Sequence, residues 1–179
     1  MNAFKSFGII LFIIIVSTIS CFSQENNMML SAYVNYNMPM GTAADNYKSS
    51  VGFQAQFEYL ITEEIGMDIT AGYTPWNFEN APSVWKFSII PVLIGGRYYF
   101  TAKSMSSYVG FDVGMYNTSI KKEVEKTNEP KFGFSFLGGT LYPMGDYLYL
   151  NTYLSYTRIS TSGYVFSYLA INAGVSFTF

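Results

Sequence analysis

From Met28 to the last residue the chain repeats one pattern: apolar side chains at every second position. Residues 170–179, AINAGVSFTF, set Ile171, Ala173, Val175, Phe177 and Phe179 against Asn172, Gly174, Ser176 and Thr178. A period of two is the mark of a β-strand, whose successive side chains point to opposite faces. The same alternation appears seven more times. In residues 28–38, Met28, Leu30, Ala32, Val34, Tyr36 and Met38 oppose Ser31, Tyr33, Asn35 and Asn37. In 51–59, Val51, Phe53, Ala55, Phe57 and Tyr59 oppose Gly52, Gln54, Gln56 and Glu58. In 65–74, Ile65, Met67, Ile69, Ala71 and Tyr73 oppose Gly66, Asp68, Thr70, Gly72 and Thr74.

Four further strands complete the set. Over 86–100, Ile90, Val92, Ile94, Tyr98 and Phe100 face away from Leu93, Gly95, Arg97 and Tyr99. Pro91 has no N–H to give a ladder, so a bulge or irregular pairing is expected beside it. Residues 108–116 set Val109, Phe111, Val113 and Met115 against Gly110, Asp112 and Gly114. Residues 131–141 set Phe132, Phe134 and Phe136 against Gly133 and Ser135, and the phase blurs after Leu137. Residues 147–158 set Leu148, Leu150, Thr152, Leu154 and Tyr156 against Tyr149, Asn151, Tyr153 and Ser155. The final strand begins near Ser167.

Strands of about ten residues suit a bilayer, which a tilted strand crosses in about 9–11 residues. The connections alternate. Residues 61–64, 101–107 and 142–146 are short; 39–49, 75–85, 117–130 and 159–166 are longer. Short turns at one end and long loops at the other are the habit of outer-membrane barrels.

A soluble eight-stranded barrel would show the same periodicity, and the character of the two faces separates the readings. Charged residues make up 12% of the chain against about 25% in soluble domains. The more polar face carries Gln54, Gln56, Glu58, Asp68, Arg97, Asp112, Asn151 and Asn172 among many Gly, Ser and Thr. That is the lining of a narrow interior rather than a Lys/Glu-rich solvated surface. The apolar face is interrupted only by Lys86 and Arg158, both near long-loop ends. A Lys or Arg at the midplane of such a face costs about 2–4 kcal/mol. Tyr36, Trp76, Trp85, Tyr98 and Phe100 fall toward strand ends, where interfacial girdles sit. Lipid tolerates no open sheet edge, so the sheet must close. The expected fold is an all-β, eight-stranded antiparallel up-and-down transmembrane β-barrel.

The leader agrees with this destination. Lys5 precedes an apolar run from Phe7 to Ile19, followed by STISCFSQE, the form of a secretory signal peptide. Cleavage is expected after Ser23, which removes residues 1–23 and leaves a barrel domain over 24–179. The rival is lipidation at Cys21, the single cysteine. TISC departs from a lipobox by placing Thr18 where Leu is usual. Without Lys5, nine basic residues oppose twelve acidic ones, and no basic cluster suggests nucleic acid.

The phrases IPVLIGGRYYF, YVGFDVGMY, LYPMGDYLYLNTYLSYTRI and LAINAGVSFTF resemble the small eight-stranded bacterial outer-membrane barrels related to the OmpA transmembrane domain. The resemblance covers the mature chain and lacks the peptidoglycan-binding domain of that family. It implies location in the bacterial outer membrane, with lipids as surroundings. It also implies a C-terminal insertion signal at Val175, Phe177 and Phe179, read by the barrel-insertion machinery.

Glu58, Asp68 and Arg97 lie on the inward face of consecutive strands, and an ion-pair cluster is expected there, with Asp112 above it. Buried charges must pair because isolation is costly. Such a cluster either plugs the lumen or gates it. Catalysis finds little support. Lipid-modifying barrels of this size use a His with a Ser, and histidine is absent. Glu63 and Glu64 occupy a turn, where solvation explains them. No metal or cofactor site is expected. The charged stretch 117–130, NTSIKKEVEKTNEP, reads as a solvated loop or a surface contact. Trp76, Phe78 and Trp85 read as interface anchors or a ligand site. The expected function is a non-enzymatic structural or surface-interaction role; the alternative is a small pore or carrier.

Overall fold

The computed structural model describes residues 27–79, 86–102, 105–122, 125–160 and 165–179. The expected leader, Cys21 and Trp85 lie outside them. Eight strands follow in chain order: β1 (Met28–Met40), β2 (Ser50–Leu60), β3 (Ile65–Trp76), β4 (Lys86–Ala102), β5 (Met105–Lys122), β6 (Glu125–Pro143), β7 (Leu148–Ser160) and β8 (Val165–Thr178). Each pairs antiparallel with its neighbours, and β1 pairs with β8, so the sheet is a closed up-and-down barrel. A 3-10 turn, Gly41–Ala43, follows β1. Gly41 has φ 58°, a conformation that glycine adopts without steric cost.

Closure is carried to the chain end. β1 and β8 are in register from Met29↔Thr178 to Met40↔Ser167. Phe179 N–H then donates to Met28 O at 3.0 Å, and Met28 N–H donates to Phe179 O at 3.3 Å. The seam is thus paired along its whole length, as lipid demands.

The two faces sort as the alternation predicts. Phe53 is 60% exposed, Met67 60% and Ile94 63%, while Glu58 and Asn151 are 0% exposed. Such a broad apolar surface is incompatible with a water-soluble monomer. It forms a belt of Leu, Val, Ile, Phe and Met around the barrel. Arg158, exposed near the outer end of β7 and in register with Phe134 and Ser167, is a charge on the outward parity at the margin of that belt. The belt ends at the outer side where Met115 gives way to Asn117 on β5 and Ile90 to Ser88 on β4. No helix of the described residues is long and apolar enough to cross a membrane. The strands cross instead, and the protein is a multi-pass barrel of the bacterial outer membrane.

Four readings need correction or refinement. The stretch 117–130 is mainly ladder, not loop. β5 and β6 stay paired from Ser106↔Leu141 to Lys122↔Glu125, well past the edge of the apolar belt. There β5 is paired on both sides, with β4 as far as Lys86↔Lys121 and with β6 throughout; beyond the belt lipid no longer imposes apolar residues on the outer face, so these strand ends are silent in the hydrophobic pattern. Trp76 is not a girdle residue: it points inward and is 1% exposed. Tyr36, Tyr98 and Phe100 do lie on the outer surface. The blurred phase after Leu137 is an inversion of residue type, not of geometry. Leu137 and Leu141 face the lumen, while Gly138 and Thr140 fall on the opposite parity. Finally, no residue is inserted at Pro91. The β3–β4 ladder lapses opposite Pro91 and Ile90, yet Ala71↔Val92 and Thr74↔Ile89 keep one register. The Pro91 ring fits there because Gly72 brings no side chain against it.

Candidate functional site

An eight-stranded barrel leaves an interior just wide enough for side chains, and here they occupy it in three layers. At the outer mouth, Trp76, Phe87, Phe166 and Tyr168 pack with Ile89, Leu93, Tyr116 and Ile159. The loop after β1 contributes to this layer. Tyr47 folds into the mouth, with its ring 5.2 Å from Phe166 and 5.1 Å from Phe87, and Tyr47 bridges Phe78. Lys48 N–H donates to Asn77 O and Glu79 N–H to Asn46 O, each at 2.9 Å, which ties this loop to the end of β3. Trp76 meets Phe166 edge-on at 5.3 Å. Such aromatic pairs contribute roughly 0.5–1.5 kcal/mol each beyond burial. At the opposite end, Met29, Tyr33, Tyr99, Tyr108, Leu137, Leu141 and Tyr153 form a second cluster.

The charges lie between and around these clusters. Arg97 on β4 is flanked in register by Gly66 on β3 and Gly110 on β5. A Cβ at 66 would strike the Glu58 carboxylate, and one at 110 would lie 3.1 Å from Arg97 Cγ. The glycines therefore make the room that the long side chains occupy. Arg97 Nη1 lies 3.7 Å from Glu58 Oε2, and Arg97 Nε lies 3.5 Å from Asp68 Oδ2. These are ion pairs at long range rather than hydrogen bonds. The guanidinium carbon sits 5.0 Å from the ring centre of Tyr108 and 5.7 Å from that of Tyr153, within cation–π range.

Hydrogen bonds hold the acids from their other sides. Tyr99 OH donates to Glu58 Oε1 at 2.6 Å, and Thr70 Oγ1 donates to Asp68 Oδ1 at 3.1 Å. Asp112 is 5% exposed and adjoins Asp68 across Gly95. Its Oδ1 has no hydrogen-bond partner, and no ion pair ties it to Arg97 among the described residues. Two carboxylates thus pair with one guanidinium, and a third, Asp112, lies beside Asp68. Among the described residues no group of acids has the arrangement of a metal site.

Below Arg97 a neutral network centres on Asn151. Asn151 Nδ2 donates to Tyr33 OH at 2.7 Å and to Ser176 Oγ at 3.0 Å, while Tyr108 OH donates to Asn151 Oδ1 at 2.6 Å. Tyr33 OH passes on to Gln56 Oε1 at 3.0 Å. Five strands, β1, β2, β5, β7 and β8, are stitched across the lumen by these bonds. The cavity beside Asp112, Tyr116 and Thr157 measures about 10 Å³, roughly the room of one water molecule.

Sequence reasoning named Glu58, Asp68, Arg97 and Asp112 but missed Tyr108, whose ring faces Arg97, and Thr70. It also missed the part played by Gly66, Gly95 and Gly110. The signal was present: all share the inward parity of the charges. Val175, Phe177 and Phe179 lie elsewhere, on the parity of β8 that faces lipid, with Phe177 and Phe179 stacked 6.2 Å apart.

Solved structures share this architecture. Neisserial surface protein A aligns with 18% identity over 85% of this chain and 97% of its own, with a TM-score of 0.68. Ail, the attachment invasion locus protein of Yersinia pestis, aligns with 15% identity over 87% of this chain and 100% of its own, TM-score 0.60. The outer membrane protein OprG from Pseudomonas aeruginosa aligns with 11% identity over 86% and 95%, TM-score 0.60. At these identities the likeness is one of fold. No curated protein matches the sequence. The family model described as "Protein of unknown function (DUF3575)" covers residues 11–169. The chain, an eight-stranded barrel with a filled lumen, belongs to that DUF3575 family.

Proposed function

We propose that this protein is a plugged, non-enzymatic barrel that works by what it holds at the cell surface rather than by what it passes through its lumen. The observation that carries the reading is the filling of the interior. An aromatic layer closes the outer mouth, buried charges and the Asn151 network cross the middle, and a second apolar cluster lies toward the turns. The β5–β6 hairpin supplies a surface element, since its ladder continues about five or six residue pairs beyond the belt, with β4 alongside as far as Lys86↔Lys121; at about 3.4 Å per residue it rises clear of the headgroups. Two solved neighbours bear names that refer to the surface or to attachment, which agrees with this reading.

Planar-bilayer recording tests it. The folded barrel is expected to give no steady conductance, and trimming the hairpin tip beyond the Ile120↔Thr127 pair is expected to leave insertion intact. A steady ohmic conductance that Arg97→Ala alters would overturn the plug and favour the small-pore alternative.

A further inference from the structure

Inside the lumen, just beneath the aromatic layer of the outer mouth, lies the cavity of about 10 Å³, room for a single small occupant. Tyr116 and Tyr168 belong both to that layer and to the cavity wall. Asp112 lines the cavity from β5. It is 5% exposed, and its Oδ1 has no hydrogen-bond partner among the described residues. Gln54, Thr70, Tyr116, Ser135 and Thr157 complete the polar part of the wall, each bringing a neutral oxygen. Their protons are directed elsewhere. Thr70 Oγ1 donates to Asp68 Oδ1, Ser135 and Thr157 share one hydrogen bond at 3.1 Å, and Gln54 Oε1 accepts from Tyr153 OH at 2.8 Å. Lone pairs remain on these oxygens.

The charge around the cavity is unbalanced. Glu58, Asp68 and Asp112 are all buried, and Arg97 is ion-paired with the first two only. Lys131, in register with Tyr116, is paired with Glu129. Asp112 is left without an ion pair among the described residues, and a buried carboxylate without a counter-charge is costly. A water molecule would fill the space and bring no charge. A proton would neutralise Asp112 and make no use of the surrounding oxygens. A small cation meets both needs, because hard cations take oxygen ligands. No group of acids among the described residues has the form of a many-carboxylate metal site, and one carboxylate amid neutral oxygens matches a single positive charge.

We propose that this cavity binds a sodium ion, with the Asp112 carboxylate as its charged ligand and its other ligands drawn from the oxygens of Gln54, Thr70, Tyr116, Ser135 and Thr157. Those residues stand on β2, β3, β5, β6 and β7. The ion ties five strands together in the middle of the lumen, where Arg97 reaches only the acids of β2 and β3. The proposal concerns the stability of the closed barrel and stands apart from any role at the cell surface.

Urea unfolding of the barrel in phosphatidylcholine vesicles tests it. Sodium chloride is exchanged for N-methylglucamine chloride at constant ionic strength and neutral pH, the organic cation being too large for a cavity of this size. The unfolding midpoint is expected to rise with sodium and then to level off, as linkage to a ligand of the folded state requires. Asp112→Asn is expected to erase the sodium dependence. Its midpoint in N-methylglucamine should equal or exceed that of the unaltered chain, because the uncompensated charge is gone. Thr157→Val keeps every charge and is expected to raise the sodium concentration that gives half of the effect. A midpoint indifferent to sodium in the unaltered chain would overturn the proposal and leave Asp112 to a proton or a water molecule. A sodium dependence that survives unchanged in both variants would overturn it as well, since the ion would then act elsewhere.

Discussion

The carboxylates of Asp68 and Asp112 meet over Gly95, which pairs in register with both. A Cβ at 95 would lie 2.8 Å from Asp68 Oδ2 and closer still to Asp112 Oδ1. The absence of one side chain is what lets two acids share a layer. Gly96, one residue on, faces the lipid, and a Cβ there would find nothing nearer than 3.7 Å. Gly95→Ala is therefore expected to destabilise the barrel by about 1–3 kcal/mol, the usual cost of overpacking. Gly96→Ala should be near neutral. Urea midpoints followed by electrophoretic mobility in micelles compare the two directly.

Arg97 is the only cation within reach of Glu58 and Asp68 among the described residues. Arg97→Met leaves those acids buried without a counter-charge, and a loss of about 3–5 kcal/mol is expected. Adding Glu58→Gln and Asp68→Asn to Arg97→Met removes the uncompensated charge and should recover much of that loss. Equal unfolding midpoints for the single and triple variants would show that the charges do not balance one another.

The Tyr99 hydroxyl, 2.6 Å from Glu58 Oε1, donates to a buried carboxylate. Tyr99→Phe keeps the ring and deletes that bond, at an expected cost of about 1.5–3 kcal/mol. In the Glu58→Gln background the same change should cost less. A double-mutant cycle on unfolding free energy reads the coupling.

Trp76 inside the mouth and Tyr36 on the outer surface are both aromatic residues near the outer rim. Trp76→Ala opens a hole against Phe166 and Tyr168 and should cost about 3–5 kcal/mol. Tyr36→Ala exchanges one lipid-facing contact for another and should cost much less. Thermal unfolding of the two variants in the same micelle checks the order.

Phe177 and Phe179 lie on the outer parity of β8, while the barrel is closed there by main-chain bonds between Phe179 and Met28. Those bonds survive replacement of the side chains. The double change Phe177→Ala and Phe179→Ala is expected to lower the folded amount in cell envelopes strongly. The purified, refolded protein should lose only about 1–2 kcal/mol, the worth of partial apolar burial. If both readouts fall together, the residues serve stability rather than recognition by the insertion machinery.

Legibility followed the physics of each residue. The belt was readable because lipid demands an apolar residue at every outward position and a strand presents one at every second residue. Arg97, Glu58 and Asp68 stood out because charge is rare on any strand of this chain. Tyr108 did not stand out, since an inward tyrosine and an outward one look alike in sequence. Trp76 was misjudged for the same reason: its parity was inward, but residue type and position near a rim suggested the interface. The outer ends of β5 and β6 escaped notice because their charged and polar residues read as a loop, whereas the backbone stays in register with β4 and between the two strands.

Taken alone, the sequence determined eight strands, their inside-out faces and the need for closure, because period-two polarity in a medium without water admits no other sheet. Only the tertiary structure decided which inward groups meet. Contacts such as those of Arg97 with Glu58, Tyr108 with Asn151 or Tyr47 with Phe166 join residues far apart in the chain. They depend on strand register and on the glycines that leave room, and neither is written in the local alternation.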